Sequence, residues 1–255
     1  MEAQASNQAT KPQHSNIAEL NEGLDLNARD AAMAVDPSQT NWSFEGSKKK
    51  TVYLTIDDGP SENTPAILDI LDKYGCKATF FVVGQNPSHF HYIKEAYDKG
   101  HTIGMHTFTH DYSKLYSSTD AYYRDLEDIA KVVKDQIGYV PCFVRFPGGS
   151  SNSISANYTP GIMTSLTKSV VEQGFQYYDW NMSSGDGADL SADEIYNAAT
   201  ESNEYNNVML LCHDSATKQT TVEALPRIIE HYQSLGYTFE AIDRDSVVIH
   251  HGVNN

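Results

Sequence analysis

From Thr51 onward, short apolar runs rich in β-formers alternate with stretches of helical spacing. That alternation restricts the architecture more than any other feature of the chain. The apolar runs fall at 52–56, 78–83, 102–105, 142–146, 175–180, 208–212 and 237–242. Between them, helical patterns cover about 64–74, 88–99, 120–136, 161–172, 192–202 and 222–235. The first helix is the most legible: Thr64-Pro65 supplies a cap and an N-terminal proline, Ile67, Leu68, Ile70, Leu71 and Tyr74 keep helical spacing, and Gly75 stops it. Strand–helix alternation means βαβ units and a parallel sheet. The right-handed crossover leaves an open doubly wound sheet or a barrel. No GxGxxG or P-loop follows the first strand, which argues against the nucleotide-binding version. The expected fold is therefore an α/β distorted (β/α) barrel with seven to eight parallel strands.

Residues 1–47 read differently. They are rich in Ala, Asn, Gln and Ser, carry 2 basic against 7 acidic residues, and show no sustained apolar period. They are expected to form a flexible N-terminal tail or linker, with a short helix near 17–26, leaving 48–255 as the catalytic domain. No run approaches the ~18 apolar residues of a membrane span, and the first 35 residues hold no basic stretch leading into an apolar one, so neither a spanning segment nor a signal peptide is expected. The net charge of −16 repels phosphate backbones and argues against a nucleic-acid partner. Three cysteines, Cys76, Cys142 and Cys212, are too few for a disulfide scaffold or a four-cysteine zinc site and read as reduced core residues.

Chemically loaded residues gather at strand ends. The first run enters Asp57-Asp58-Gly59, the third leads to His106 and His110, and the fourth holds Arg145 and leads to Pro147-Gly148-Gly149. The fifth closes on Asp179-Trp180, and the sixth enters His213-Asp214. In a parallel barrel these ends share one rim, where barrel enzymes carry their sites. The four-residue spacing of His106 and His110 suits one face of a helical turn, from which two imidazoles reach one divalent ion. Asp58 would complete a His₂Asp set with positions open for water and substrate. Successive strand side chains face opposite sides, so a ligating Asp58 leaves Asp57 free beside the water. Arg145 offers a bidentate partner for that free carboxylate. His213 reads as a general acid, with Asp179 raising its pKa. Each residue alone has a bland reading: a turn signal, a surface ion pair, a satisfied core histidine. Five in order at five strand ends favour a site. His89, His91, His101, His231, His250 and His251 lack such placement and are assigned to the surface.

Together, Asp57-Asp58-Gly59, His106-x₃-His110, Arg145-x-Pro147, Asp179-Trp180 and Leu211-x-His213 resemble the five ordered motifs of the NodB-homology polysaccharide deacetylases, carbohydrate esterase family four. The resemblance spans roughly residues 50–242. It implies a distorted barrel that uses a divalent metal, zinc first with cobalt or nickel as substitutes, to remove acetyl groups. By position it implies Asp57 as general base, Asp58, His106 and His110 as ligands, Arg145 as the residue orienting the base, Asp179 as tuner of the acid and His213 as the acid. Trp180 and Leu211 would wall the pocket for the acetate methyl. Many members carry a tyrosine after the third-motif proline and use its backbone N–H in the oxyanion hole. Gly148 and Gly149 stand there in this chain, so Gly148 keeps the N–H but supplies no side-chain wall.

The expected activity is hydrolysis of N-acetyl groups on N-acetylglucosamine residues of a polysaccharide, peptidoglycan first. O-acetyl esterase action on acetylated xylan, or deacetylation of chitin oligomers, is the alternative. The expected partner is an acetylated glycan polymer or oligomer, and the expected location extracellular or cell-wall associated, tethered through a segment outside this sequence. A catalytically dead sugar-binding barrel would need a broken motif, and none is broken. An amidohydrolase-type barrel would want an HxH pair at the end of the first strand, which is absent.

Overall fold

The computed structural model describes residues 16–202 and 204–255. Its centre is β1 (Thr51–Asp57), buried at every position because sheet neighbours flank it and helices cover it. β2 (Ala78–Val83) is likewise fully buried, and β3 (Thr102–Thr107) follows. β4 (Phe143–Val144), β5 (Gln176–Tyr177), β6 (Met182–Ser183), β7 (Asn207–His213) and β8 (Thr238–Phe239) complete the strands. All pairings are parallel, in the order β5-β4-β3-β2-β1-β7-β6, with β8 beside the start of β1. The sheet curls into an incomplete barrel: among the described residues no ladder joins β5 to β6.

The helices are α1 (Ala28–Met33), α2 (Thr64–Tyr74), α3 (His91–Asp98), α4 (Tyr112–Leu115), α5 (Thr119–Ile137), α6 (Ile162–Glu172), α7 (Ala192–Ala199) and α8 (Gln219–Ser234). Local chemistry explains their ends. Gly75 caps α2 at φ +64, a conformation that disfavours any side chain. Ser118 accepts from Ala121 N–H at the start of α5, and Ser191 with Glu194 forms a reciprocal capping box on α7. β4, β5 and β8 are shorter than the runs that announced them. Their backbone bonding continues irregularly, as in Arg145 N–H to Met105 O (3.0 Å) and Tyr178 N–H to Val144 O (3.0 Å), because the chain bends out of the sheet at the rim. β6 was not anticipated; its two residues offer no apolar run.

The seam between β5 and β6 is filled by residues 249–251. Asp179 N–H donates to Ile249 O (2.9 Å), His251 N–H donates to the Asp179 carboxylate (2.8 Å), and the His250 ring stacks on Tyr177 at 3.7 Å. His250 and His251 thus belong to the barrel wall rather than the surface. His101 also departs from its surface assignment: it is fully buried, and its Nδ1 accepts from Ala78 N–H.

The expected flexible tail is corrected for residues 16–47. Ile17, Met33, Ala34 and Val35 enter the main core. Val35 N–H bonds Val140 O (3.0 Å), Cys142 N–H bonds Met33 O (2.8 Å), and Arg244 grips the carbonyls of Ala32, Gln39 and Ala34. The segment shows no period because it contributes isolated plugs and edge hydrogen bonds, not a helix face. The expected helix near 17–26 is a 3₁₀ turn over Ile17–Asn21. The tail's first fifteen residues lie outside those described. The three cysteines are buried and free, as expected.

Candidate active site

Three potential ligands converge on the rim. Asp58, His106 and His110 offer donor atoms that all lie within 4.8 Å of one another. Asp58 Oδ1 stands 3.6 Å from His106 Nε2 and 3.4 Å from His110 Nε2. Donors bound tetrahedrally at ~2.1 Å to one ion stand ~3.4 Å apart, so the spacing fits zinc-sized coordination. Asp58 Oδ1 is also a buried oxygen with no hydrogen-bond partner, the condition a bound cation would relieve. His106 points Nδ1 at Arg145 O (2.7 Å), which leaves Nε2 as the lone-pair face. Burial, with His110 nearby, holds the His106 pKa well below its ordinary value, so the ring stays neutral as a ligand must. The helical turn expected between the histidines is not present. His106 lies one residue before the end of β3 and His110 sits in the following loop at φ +49; Asp58 likewise takes φ +72. Two non-glycine residues in the left-handed region mark backbone held by its surroundings to aim side chains.

Asp57 stands beside this set. One oxygen accepts from Arg145 Nη1 at 2.9 Å; the other lies 3.9 Å from His106 Nε2. Asp57 closes β1 and Asp58 follows it in the left-handed region, so it is the turn after the strand, not strand alternation, that divides the two carboxylates. Burial raises the Asp57 carboxyl above the usual carboxylate range, and Arg145 works against that rise. Arg145 is wholly buried. It donates to Asp57, Thr55 Oγ1 (2.6 Å), Tyr178 O (2.8 Å) and Asp179 O (3.0 Å), and stacks 4.4 Å over the Phe81 ring. The exposed ion pair that Arg145 alone suggested is thus a buried, nearly saturated one.

His213 lies directly opposite Asp57 in the β1–β7 register. Its partner corrects the sequence reading. His213 Nδ1 pairs with Asp186 Oδ1 at 2.7 Å, and Asp186 also accepts from His213 N–H (2.8 Å) and Thr221 Oγ1 (2.8 Å). Burial pulls the imidazole pKa down, but the Asp186 hydrogen bond and charge, with Asp57 and Asp58, outweigh it and hold it at about 9. Asp179 instead clamps the rim: its carboxylate accepts from Ser150 N–H (2.8 Å) and His251 N–H (2.8 Å). Asp186 was missed because Ser184-Gly185-Asp186-Gly187 reads as a turn, where aspartate is common. The signal available was an acid in the loop between β6 and α7, just after a strand that pairs with the one bearing His213.

Two further buried carboxylates brace the ligand loops. Asp214 accepts from Ser61 Oγ (2.6 Å) and Thr64 Oγ1 (2.5 Å) and so holds the loop after β1. Asp125 of α5 accepts from Thr109 N–H (3.1 Å) and Thr109 Oγ1 (2.6 Å), and from Phe108 N–H (2.5 Å), one and two residues before His110. Leu211 shares a strand face with His213 two residues on. The Trp180 ring lies within 5.7 Å of the Arg145 guanidinium and lies against Gly149. Gly148 (φ +77) has no intramolecular partner for its N–H among the described residues.

The rim thus sets the Arg145-held Asp57 and the His213–Asp186 pair beside a three-donor triad, an arrangement that fits a hydrolase site. Residues 45–160 match the family described as polysaccharide deacetylase. A peptidoglycan-N-acetylglucosamine deacetylase of Bacillus cereus is 34% identical over 211 residues, covering 80% of this chain and 73% of that protein. A bifunctional xylanase/deacetylase of Pseudobutyrivibrio xylanivorans is 33% identical over 197 residues, covering 76% of this chain and 30% of that protein. Among solved structures, the catalytic domain of peptidoglycan N-acetylglucosamine deacetylase from Eubacterium rectale superimposes with a TM-score of 0.81 at 40% identity, covering 86% of this chain and all of that one. The chain belongs to the polysaccharide deacetylase family, the NodB-homology hydrolases of carbohydrate esterase family four.

Proposed function

We propose that this protein is a divalent-metal-dependent deacetylase of N-acetylglucosamine residues in peptidoglycan, acting at the cell wall, with residues 48–255 as the catalytic unit and 16–47 as its brace. The observation that carries the reading is the free Asp57 oxygen at 3.9 Å from His106 Nε2: a buried base faces the ligand set on the side where water would stand. Asp58, His106 and His110 would hold the ion, which when bound supplies a Lewis acid for the acyl oxygen and makes water a stronger acid.

The chain's own groups account for the proton movements. Asp57, held by Arg145, takes the proton of the attacking water. The Gly148 N–H points its dipole at the developing oxyanion. His213, protonated by virtue of Asp186, passes its proton to the departing nitrogen, giving acetate and a free amino sugar. Trp180 and Leu211 bound the space left for the acetyl methyl.

The test is acetate release from peptidoglycan, chitin oligomers and acetylxylan, with and without chelator. The expected result is chelator-sensitive release from peptidoglycan, restored by zinc. Full turnover in chelator would overturn the metal dependence. The xylanase/deacetylase relative favours the second reading, and release from acetylxylan alone would establish it in place of the first.

A further inference from the structure

The reaction just proposed places the Gly148 N–H at the oxyanion, and the space above Gly148 is already occupied. A Cβ added to Gly148 would meet Tyr112 Oη at 2.5 Å. The phenol of Tyr112, from the start of α4, therefore stands where a side chain at 148 would point. Its hydroxyl makes no hydrogen bond to any described residue, although the polar rim around it is otherwise closely paired. The ring is braced edge-on by Tyr116 at 5.3 Å and by His110 at 6.0 Å, and Tyr116 is itself tied to Pro147 O at 2.8 Å.

A Cβ lies ~2.5 Å from its own backbone nitrogen, so Tyr112 Oη lies within ~5 Å of the Gly148 nitrogen. Two donors that far apart can both reach one oxygen at about 2.7–3.1 Å. Among the described residues neither donor has a partner, and the Tyr112 ring stands 6.0 Å from that of His110. We infer that the Tyr112 hydroxyl is a second oxyanion donor, paired with the Gly148 N–H, and that the glycine exists here to make room for it. The inference rests on the deacetylase reading. It also gives the missing side chain at 148 a physical reason: a Cβ there would displace the phenol, besides straining a backbone at φ +77.

Tyr112→Phe keeps the ring, its packing against Tyr116 and the room at Gly148, and removes only the donor. Zinc-loaded wild type and variant are compared on an N-acetylglucosamine oligomer and on an aryl acetate. The expected loss is about 10–100-fold in kcat on both substrates, with KM within about twofold. A methylphosphonamidate of glucosamine, whose tetrahedral P–O⁻ mimics the oxyanion, should bind more weakly by the same factor, measured by calorimetry without turnover. An unchanged kcat and phosphonamidate affinity, or a raised KM on the glycan with aryl acetate unaffected, would overturn the inference; the second result would make Tyr112 a sugar contact. Wild-type protein releasing acetate from neither substrate would overturn the deacetylase reading and this inference with it. An active wild type with an indifferent variant overturns this inference alone.

Discussion

Asp186 and Asp179 are both buried aspartates of the rim, yet the structure gives them separate partners, and the pH profile should separate them. Removing the Asp186 charge deletes the main influences that lift His213 to about 9. The acid must be protonated to act, so Asp186→Asn should move the alkaline limb of kcat/KM to lower pH. Asp179→Asn touches no His213 atom; it should leave that limb in place and instead lower Tm by loosening Ser150 and His251. Equal alkaline shifts for both would refute the assignment. On the base side, burial raises Asp57 and Arg145 resists, so Arg145→Met should shift the acid limb upward, read in the same profile. At this scale the convergence of Asp57, Asp58, His106, His110, Arg145 and His213 on one rim was legible because strand-end Asp and His pairs have few bland explanations in combination. The tuner was not, since nothing in a serine- and glycine-flanked aspartate announces burial.

Among the elements, each rim loop of the candidate site is tied down by a buried carboxylate: Asp214 for the β1 loop, Asp125 for the β3 loop, Asp179 for the β4 loop, Asp186 for the β7 end. These ties hold backbone that would not otherwise keep Asp58 and His110 at positive φ. Asp125→Ala removes the acceptors for Phe108 and Thr109. It should cost ~1–3 kcal/mol of stability and about 10–100-fold in zinc affinity, measured by competition with a chromophoric chelator. Wild-type zinc affinity in this variant would show that the loop holds itself. The helices α2 and α5 and the strands β1, β2 and β7 were legible from periodicity and glycine stops. β6 was not, because two residues carry no period, and the His106–His110 turn was misread because a four-residue spacing is equally served by a strand end and a left-handed loop residue.

For the molecule as a whole, residues 16–47 are part of what is folded. Ile17, Met33 and Val35 each bury enough apolar surface for ~1.5–3 kcal/mol, so removing residues 1–47 should lower Tm by about 10 °C or more. An unchanged melting curve would mean these plugs contribute nothing. The barrel was legible from strand–helix alternation, whereas the brace was not, because isolated buried residues among Ala, Asn and Ser carry no pattern. The filling of the β5–β6 seam by residues 249–251 bears on synthesis. A ribosome delivers residues 57–145, with Asp58, His106, His110 and Arg145, well before it delivers β7, β8 and His251, which holds Asp179. A nascent chain therefore carries the whole ligand set without a finished rim. Competence arrives late in translation, so products clipped before residue 249 should bind zinc yet turn over nothing.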